Sequence, residues 1–129
     1  MRRRQLLILE HEALARWGAA AELRRLGHEV IEAHSVEEAI SVFESGTPID
    51  LVLCDVDIPG PQSGLEFERW LVRNEPGVPV LLTSVDASGI PPLNNRSMRA
   101  FMLKPYASDA LLIAVDGLLD LRPDESSDR

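Results

Sequence analysis

This chain holds one cysteine, one lysine and no long apolar run, and each scarcity closes off a class of protein. Cys54 has no second thiol to meet, so no disulfide framework staples the fold. Leu6-Leu7-Ile8-Leu9 gives way at once to Glu10, too short a run for a secretory leader or a membrane span. Positive charge is scarce as well. Thirteen Lys and Arg face 21 Asp and Glu, a net charge of -8, which argues against a general nucleic-acid or anionic-membrane surface. Arg2-Arg3-Arg4 is too small a patch to reverse that field. The expectation is a soluble cytoplasmic domain: 129 residues, 45% of them hydrophobic, supply one sizeable core and leave no room for a second.

What is present is an alternation of short apolar runs with helix-period segments. Leu6–Leu9, Glu29–Ala33, Ile49–Cys54, Pro79–Leu82 and Arg99–Leu103 read as five strands. Near-continuous apolarity in the third suits a parallel strand covered on both faces. Between the strands, residues 12–26 form a helical stretch in which Leu14, Trp17 and Ala21 share a face. Ser35 with Glu38, and Ser63 with Glu66, have the spacing of capping boxes that open the next two helices. A last helix over 108–121 carries Leu111, Leu112, Val115, Leu118 and Leu119 on one side. Pro91-Pro92 and Asn94-Asn95 interrupt the rhythm between the fourth and fifth strands and predict a fourth helix that is shortened or irregular. Strands alternating with helices predict a doubly wound α/β domain over residues 1–121, with a polar tail at 122–129.

In such a sheet, functional groups collect beyond the carboxyl ends of the strands. Those ends carry Glu10, His11 and Glu12; Asp55 and Asp57; Thr83 and Ser84; and Lys104. Crowded carboxylates resist simultaneous ionisation unless a cation offsets them, which Lys104 and a hard divalent ion such as Mg²⁺ would do. The same groups would stabilise a phosphoryl group arriving on one carboxylate.

The motifs Leu7-Ile8-Leu9-Glu10-His11-Glu12, Asp50-Leu51-Val52-Leu53-Cys54-Asp55, Ile58-Pro59-Gly60 with Gly64-Leu65-Glu66, Leu82-Thr83-Ser84 and Leu103-Lys104-Pro105 follow one another in order. Together they resemble the receiver domain of bacterial response regulators, the CheY-like superfamily, over nearly the whole chain. The resemblance implies a flavodoxin-like five-stranded parallel sheet of order 2-1-3-4-5. It makes Asp55 the phospho-acceptor, Thr83 the residue that bonds the acquired phosphoryl oxygen, and Lys104 its ionic partner. It assigns Mg²⁺ to Glu10, Asp55 and Asp57, and makes Phe101 the aromatic residue whose rotamer follows phosphorylation, with Thr83 as its partner in the switch. The implied donor is a sensor histidine kinase or a histidine phosphotransfer protein, and the output is a protein–protein contact. The receiver assists its own phosphoryl transfer without being an enzyme in its own right.

His11 departs from the family pattern, standing where a second acid usually ligates Mg²⁺; imidazole is a poor ligand for a hard ion. Two readings offset it. The side chain of Asp57, whose position the family uses through its backbone carbonyl, supplies the missing carboxylate, or protonated His11 itself supplies positive charge. The loop from Pro59 to Gly64 is one residue longer than the usual family form, and with the broken fourth helix it points to a monomer or weak dimer. Two other functions compete: a pseudo-receiver that binds partners without cycling phosphate, and a haloacid-dehalogenase-like phosphatase built on Asp55-Val56-Asp57. The remaining residues have plainer readings. His11 reads as a neutral, solvated loop residue rather than a metal ligand, Cys54 as a small core residue, Trp17 and Trp70 as core or half-buried packing, and His28 and His34 as surface or strand-edge residues without partners.

Overall fold

Period-two alternation along each strand sorts the apolar side chains into two cores, one on each face of a single sheet. The computed structural model describes residues 4–60, 62–89 and 98–121. The strands are β1 (Gln5–Leu9), β2 (Glu29–Ala33), β3 (Leu51–Asp55), β4 (Val80–Ser84) and β5 (Arg99–Leu103). The helices are α1 (Ala13–Arg25), α2 (Val36–Glu44), α3 (Gly64–Asn74) and α4 (Ser108–Leu121). All strand pairs are parallel, in the order β2-β1-β3-β4-β5. Leu7, Leu9, Val52, Cys54, Val80 and Leu82 face α2 and α3. Leu6, Ile8, Leu51, Leu53 and Leu81 face α1 and α4. Burial on both sides is why the central strands read as unbroken apolar runs.

The helix boundaries follow from local chemistry. Ser63 accepts from the Glu66 amide and Glu66 returns a bond to the Ser63 amide, so the second capping box is complete. The first is half-formed. Ser35 caps the Glu38 amide, but the Glu38 carboxylate reaches one residue further back, to the His34 amide and ring. Gly27 and Gly46 follow α1 and α2 with φ of 94° and 84°, the left-handed conformation that ends a helix cheaply only at glycine. A 3₁₀ turn, Ala87–Gly89, follows β4; the rest of the predicted irregular fourth helix lies outside the described residues, as does the tail at 122–129.

Three expectations need correction. Leu14 and Trp17 do not face the core: they are 79% and 55% exposed, and Ala21 is exposed with them. The inward face of α1 is Arg16, Ala19, Ala20 and Leu23, nearly opposite. A charged residue begins that face because Arg16 donates to the Glu10 carbonyl at 2.9 Å and to Glu32 Oε1 at 3.2 Å. His28 is buried rather than superficial, 7% exposed, beneath the turn that joins α1 to β2, where its amide donates to the Leu23 carbonyl. His34 has a partner in Glu38. Trp70, by contrast, packs as predicted, its ring 6.0 Å from Phe67 and 5.8 Å from Phe43.

Candidate functional site

Parallel register carries Asp55 and Thr83 to the same level, since they are paired across β3 and β4. The Val56 amide donates to the Thr83 carbonyl, and the Lys104 amide to the Ser84 carbonyl, so the three strand ends are locked side by side. Gly64 sets the floor of this corner. A Cβ there would meet the Asp55 carbonyl oxygen at 2.2 Å and Val56 Cα at 2.7 Å, so only glycine lets α3 start so close to β3.

The charged groups divide into two sides. On one, Lys104 Nζ lies 2.7 Å from Glu10 Oε1 and 3.3 Å from Asp55 Oδ2. On the other, His11 Nδ1 lies 3.6 Å from Glu10 Oε2 and 3.9 Å from the same Asp55 oxygen. Asp55 is 2% exposed; its Oδ1 accepts from the Asp57 amide at 3.1 Å, and its Oδ2 has no hydrogen bond. Burial raises the Asp55 pKa, opposed by the Asp57 amide, raised further by the charge of Glu10 and lowered by Lys104. Burial pulls Lys104 down, but Glu10 and Asp55 more than reverse this and hold its ammonium above its ordinary value. Cys54, next in the strand, is buried and its thiol is pushed far up, which makes it an inert core residue as read from the sequence.

The Asp57 side chain is directed elsewhere. Its Oδ2 accepts from Ser84 Oγ at 2.9 Å and the Val85 amide at 3.3 Å, bracing the end of β4. Among the described residues, the ligand atoms that converge, all within 4.8 Å of one another, belong to Glu10, His11 and Asp55. These suit a divalent cation: two carboxylates carry the charge, and one buried carboxylate oxygen lacks a hydrogen bond. The imidazole departs from the all-oxygen set that hard Mg²⁺ favours. Phe101 is partly buried against the α2–α3 core, one residue before the level of Thr83, which pairs with Met102.

Two residues enter the site that sequence reasoning passed over. Arg16 holds the Glu10 carbonyl; its only sequence signal was the break it makes in the apolar pattern of α1. Tyr106 lines a cavity of about 630 Å³ that opens beside Asp55 and Lys104 and runs past His11, Leu14 and Leu111. No helix among the described residues is long and apolar enough to cross a membrane.

Comparison with known proteins agrees with this fold. The family model for the response regulator receiver domain matches residues 6–116. A curated relative is the phosphate regulon transcriptional regulatory protein PhoB of Pseudomonas aeruginosa, 36% identical over 84 residues, 65% of this chain. That match spans 36% of the relative's length. A response regulator receiver protein from Sinorhizobium medicae superposes with a TM-score of 0.81 at 26% identity, covering 95% of this chain and 98% of that one. Response regulator TrrA of Thermotoga maritima, solved in complex with Mg²⁺-BeF, gives 0.78 at 27% identity over 89% of this chain and 98% of its own. Receivers of this family are signalling modules of two-component systems, typically phosphorylated and Mg²⁺-binding. The chain belongs to the response regulator receiver domain family.

Proposed function

We propose that this domain accepts a phosphoryl group on Asp55 from a histidine kinase or histidine phosphotransfer protein and signals through protein–protein contacts. The observation that carries this reading is the meeting of three strand ends: Asp55 buried, Thr83 opposite it in register, and Lys104 Nζ 3.3 Å from its carboxylate. In the step proposed, a carboxylate oxygen of Asp55 attacks the phosphorus of a phosphohistidine. An O–P bond forms, the N–P bond breaks, and its electron pair stays on the donor imidazole. Lys104, already charged and paired, neutralises the acquired phosphoryl oxygens without reorganising, and Thr83 donates its hydroxyl to one of them. Phe101 is the switch residue by resemblance; it faces α2 and α3 beside Leu82 while Thr83 pairs with Met102 on the other face, so a shift of Thr83 reaches it through the β4–β5 backbone. A divalent ion held by Glu10, Asp55 and the Asp57 carbonyl would offset the negative charge on the transferring group.

Retention of the acceptor, hydroxyl and ammonium in one corner favours this over a receiver fold that no longer cycles phosphate, since a scaffold needs none of them there. Intact-mass measurement after incubation with acetyl phosphate and divalent ions tests it. A phosphate-sized adduct in the wild type and none in Asp55→Asn is the expected result. A folded wild type that acquires no adduct with any divalent ion would overturn it in favour of the pseudo-receiver, and multiple turnover of a phosphate ester would favour the phosphatase.

A further inference from the structure

The His11 side of the pocket has an unusual spacing. Its Nδ1 stands 3.6 Å from Glu10 Oε2 and 3.9 Å from Asp55 Oδ2, too far for a hydrogen bond to either. Yet the two oxygens are the right ones to meet. Lys104 takes the other oxygen of Glu10, whose Oε2 accepts from the Glu12 amide at 3.0 Å, and Asp55 Oδ2 is buried without a hydrogen bond, its ion pair with Lys104 being 3.3 Å long. Ligands about 2.1 Å from one metal ion stand up to about 4.2 Å apart, so both His11 distances fall within the span of a shared ion. One oxygen of the Asp57 carboxylate, which would have completed an all-oxygen set, accepts from Ser84 and Val85, and the group is not among those that converge.

We propose that Glu10, His11 and Asp55 form an oxygen–nitrogen–oxygen site that selects a borderline divalent transition ion, of the Fe²⁺ to Zn²⁺ series, over Mg²⁺. The reason is ligand chemistry. Imidazole binds first-row transition ions well, whereas Mg²⁺ prefers oxygen and gives up its waters reluctantly. This deepens the receiver reading, on which its functional meaning rests, by naming the ion that the acceptor site takes.

The test is a titration of the metal-free full chain with Mg²⁺, Mn²⁺ and Co²⁺ as chlorides, by calorimetry and by the visible spectrum of Co²⁺. Any carboxylate site prefers Co²⁺ to Mg²⁺ to some degree, so the change in preference on substitution decides the matter. His11→Ala is expected to weaken Co²⁺ at least about tenfold, given that loss of a mere supporting partner costs about 10–100-fold. His11→Asp, which restores an all-oxygen set, is expected to tighten Mg²⁺ and to cut the Co²⁺-to-Mg²⁺ preference by about tenfold or more. His34→Ala, which removes an exposed histidine outside the pocket, is expected to stay within about twofold of wild type. In the wild type, bound Mn²⁺ is expected to broaden the His11 ring proton signals.

His11 is 39% exposed, so its variants are expected to keep the wild-type circular dichroism spectrum and melting profile. An unchanged Co²⁺-to-Mg²⁺ preference in both His11 variants overturns the proposal. So does binding that survives His11→Ala and is lost in Asp57→Asn. The adduct measurement separates the two claims. His11-dependent Co²⁺ binding without an adduct on Asp55 leaves the ion inference standing and removes the acceptor role. An adduct with unaltered metal preference does the reverse.

Discussion

His34 Nδ1 lies 2.7 Å from Glu38 Oε1, in hydrogen-bond contact, whereas His11 Nδ1 stops 3.6 Å from Glu10 Oε2 and 3.9 Å from Asp55 Oδ2. Both histidines follow a strand and both neighbour a glutamate. The surface pair closes because its side chains are free to move: Glu38 turns back along its helix to reach both the ring and the amide of His34. The pocket pair stays open because its carboxylates are pinned. Glu10 is held by Lys104 through one oxygen and by the Glu12 amide through the other, and its own carbonyl is held by Arg16. Asp55 is fixed by the start of α3 and the Asp57 amide. A gap kept open by rigid walls can serve a third party; a gap that closes on itself cannot.

The largest way to break this comparison is to move a wall. Gly64→Ala would set a methyl group 2.2 Å from the Asp55 carbonyl oxygen, and backbone on both sides must shift to relieve it. The expected cost is about 3 kcal/mol of stability, as for overpacking at a rigid site, with a melting temperature lower by roughly 10 °C. The variant is also expected to bind Co²⁺ more weakly, because the Asp55 oxygen moves away from His11. A melting temperature within about 2 °C of wild type would show that the corner is soft and that the open spacing at His11 is not imposed by it.

How far this corner was legible from the sequence depends on which bonds define it. Asp55, Thr83 and Lys104 end apolar runs, and in a parallel sheet strand ends converge, so their meeting followed from the strand assignments alone. The complete capping box at Ser63 and Glu66 was legible for a similar reason, being local in the chain. Side-chain direction was not. Nothing in Asp55-Val56-Asp57 says that the second carboxylate turns to Ser84, 27 residues on. Arg16 misled because an arginine on the inward face of α1 left Leu14 and Trp17 as the more apolar stripe, and that stripe points to solvent. The buried ion pair between Arg99 Nε and Glu68 Oε2, 2.5 Å apart across β5 and α3, left no trace in the sequence pattern. Hydrophobic period reports which face is buried only where no charge is buried with it.

A smaller effect sharpens the comparison from inside the pocket. Asp55 is a buried carboxylate whose pKa is raised, first by desolvation, so its charge is a burden to the fold in metal-free protein. Asp55→Asn removes that charge and leaves Glu10 to pair with Lys104. The expected gain is on the order of 1 kcal/mol at neutral pH, or about 3–5 °C in a melt run with chelator present. Adding Co²⁺ should reverse the ranking, because the amide is a poor ligand and the wild type is stabilised by binding. An Asp55→Asn variant that melts below wild type in chelator would mean that the carboxylate is net stabilised by Lys104, and that no third party is needed on the His11 side.

The smallest effect belongs to the closed pair. The Glu38 pKa is lowered, chiefly by the His34 amide, against a weaker opposing effect of burial and with further lowering from the His34 ring. A carboxylate lowered on folding contributes stability that is present above the unfolded value of 4.5 and is lost as pH falls through the folded value. Both side chains are largely exposed, so after solvent screening the contribution is no more than a few tenths of a kcal/mol. Glu38→Gln is therefore expected to melt about 1 °C below wild type near pH 6, with the two curves converging as pH falls to about 3. A gap that widened toward acid would reverse the sign and show that the His34 amide does not favour the ionised carboxylate. A gap of several degrees at pH 6 would make the surface pair as consequential as the pocket, and the contrast between a spacing that closes for itself and one held open for an ion would lose its basis.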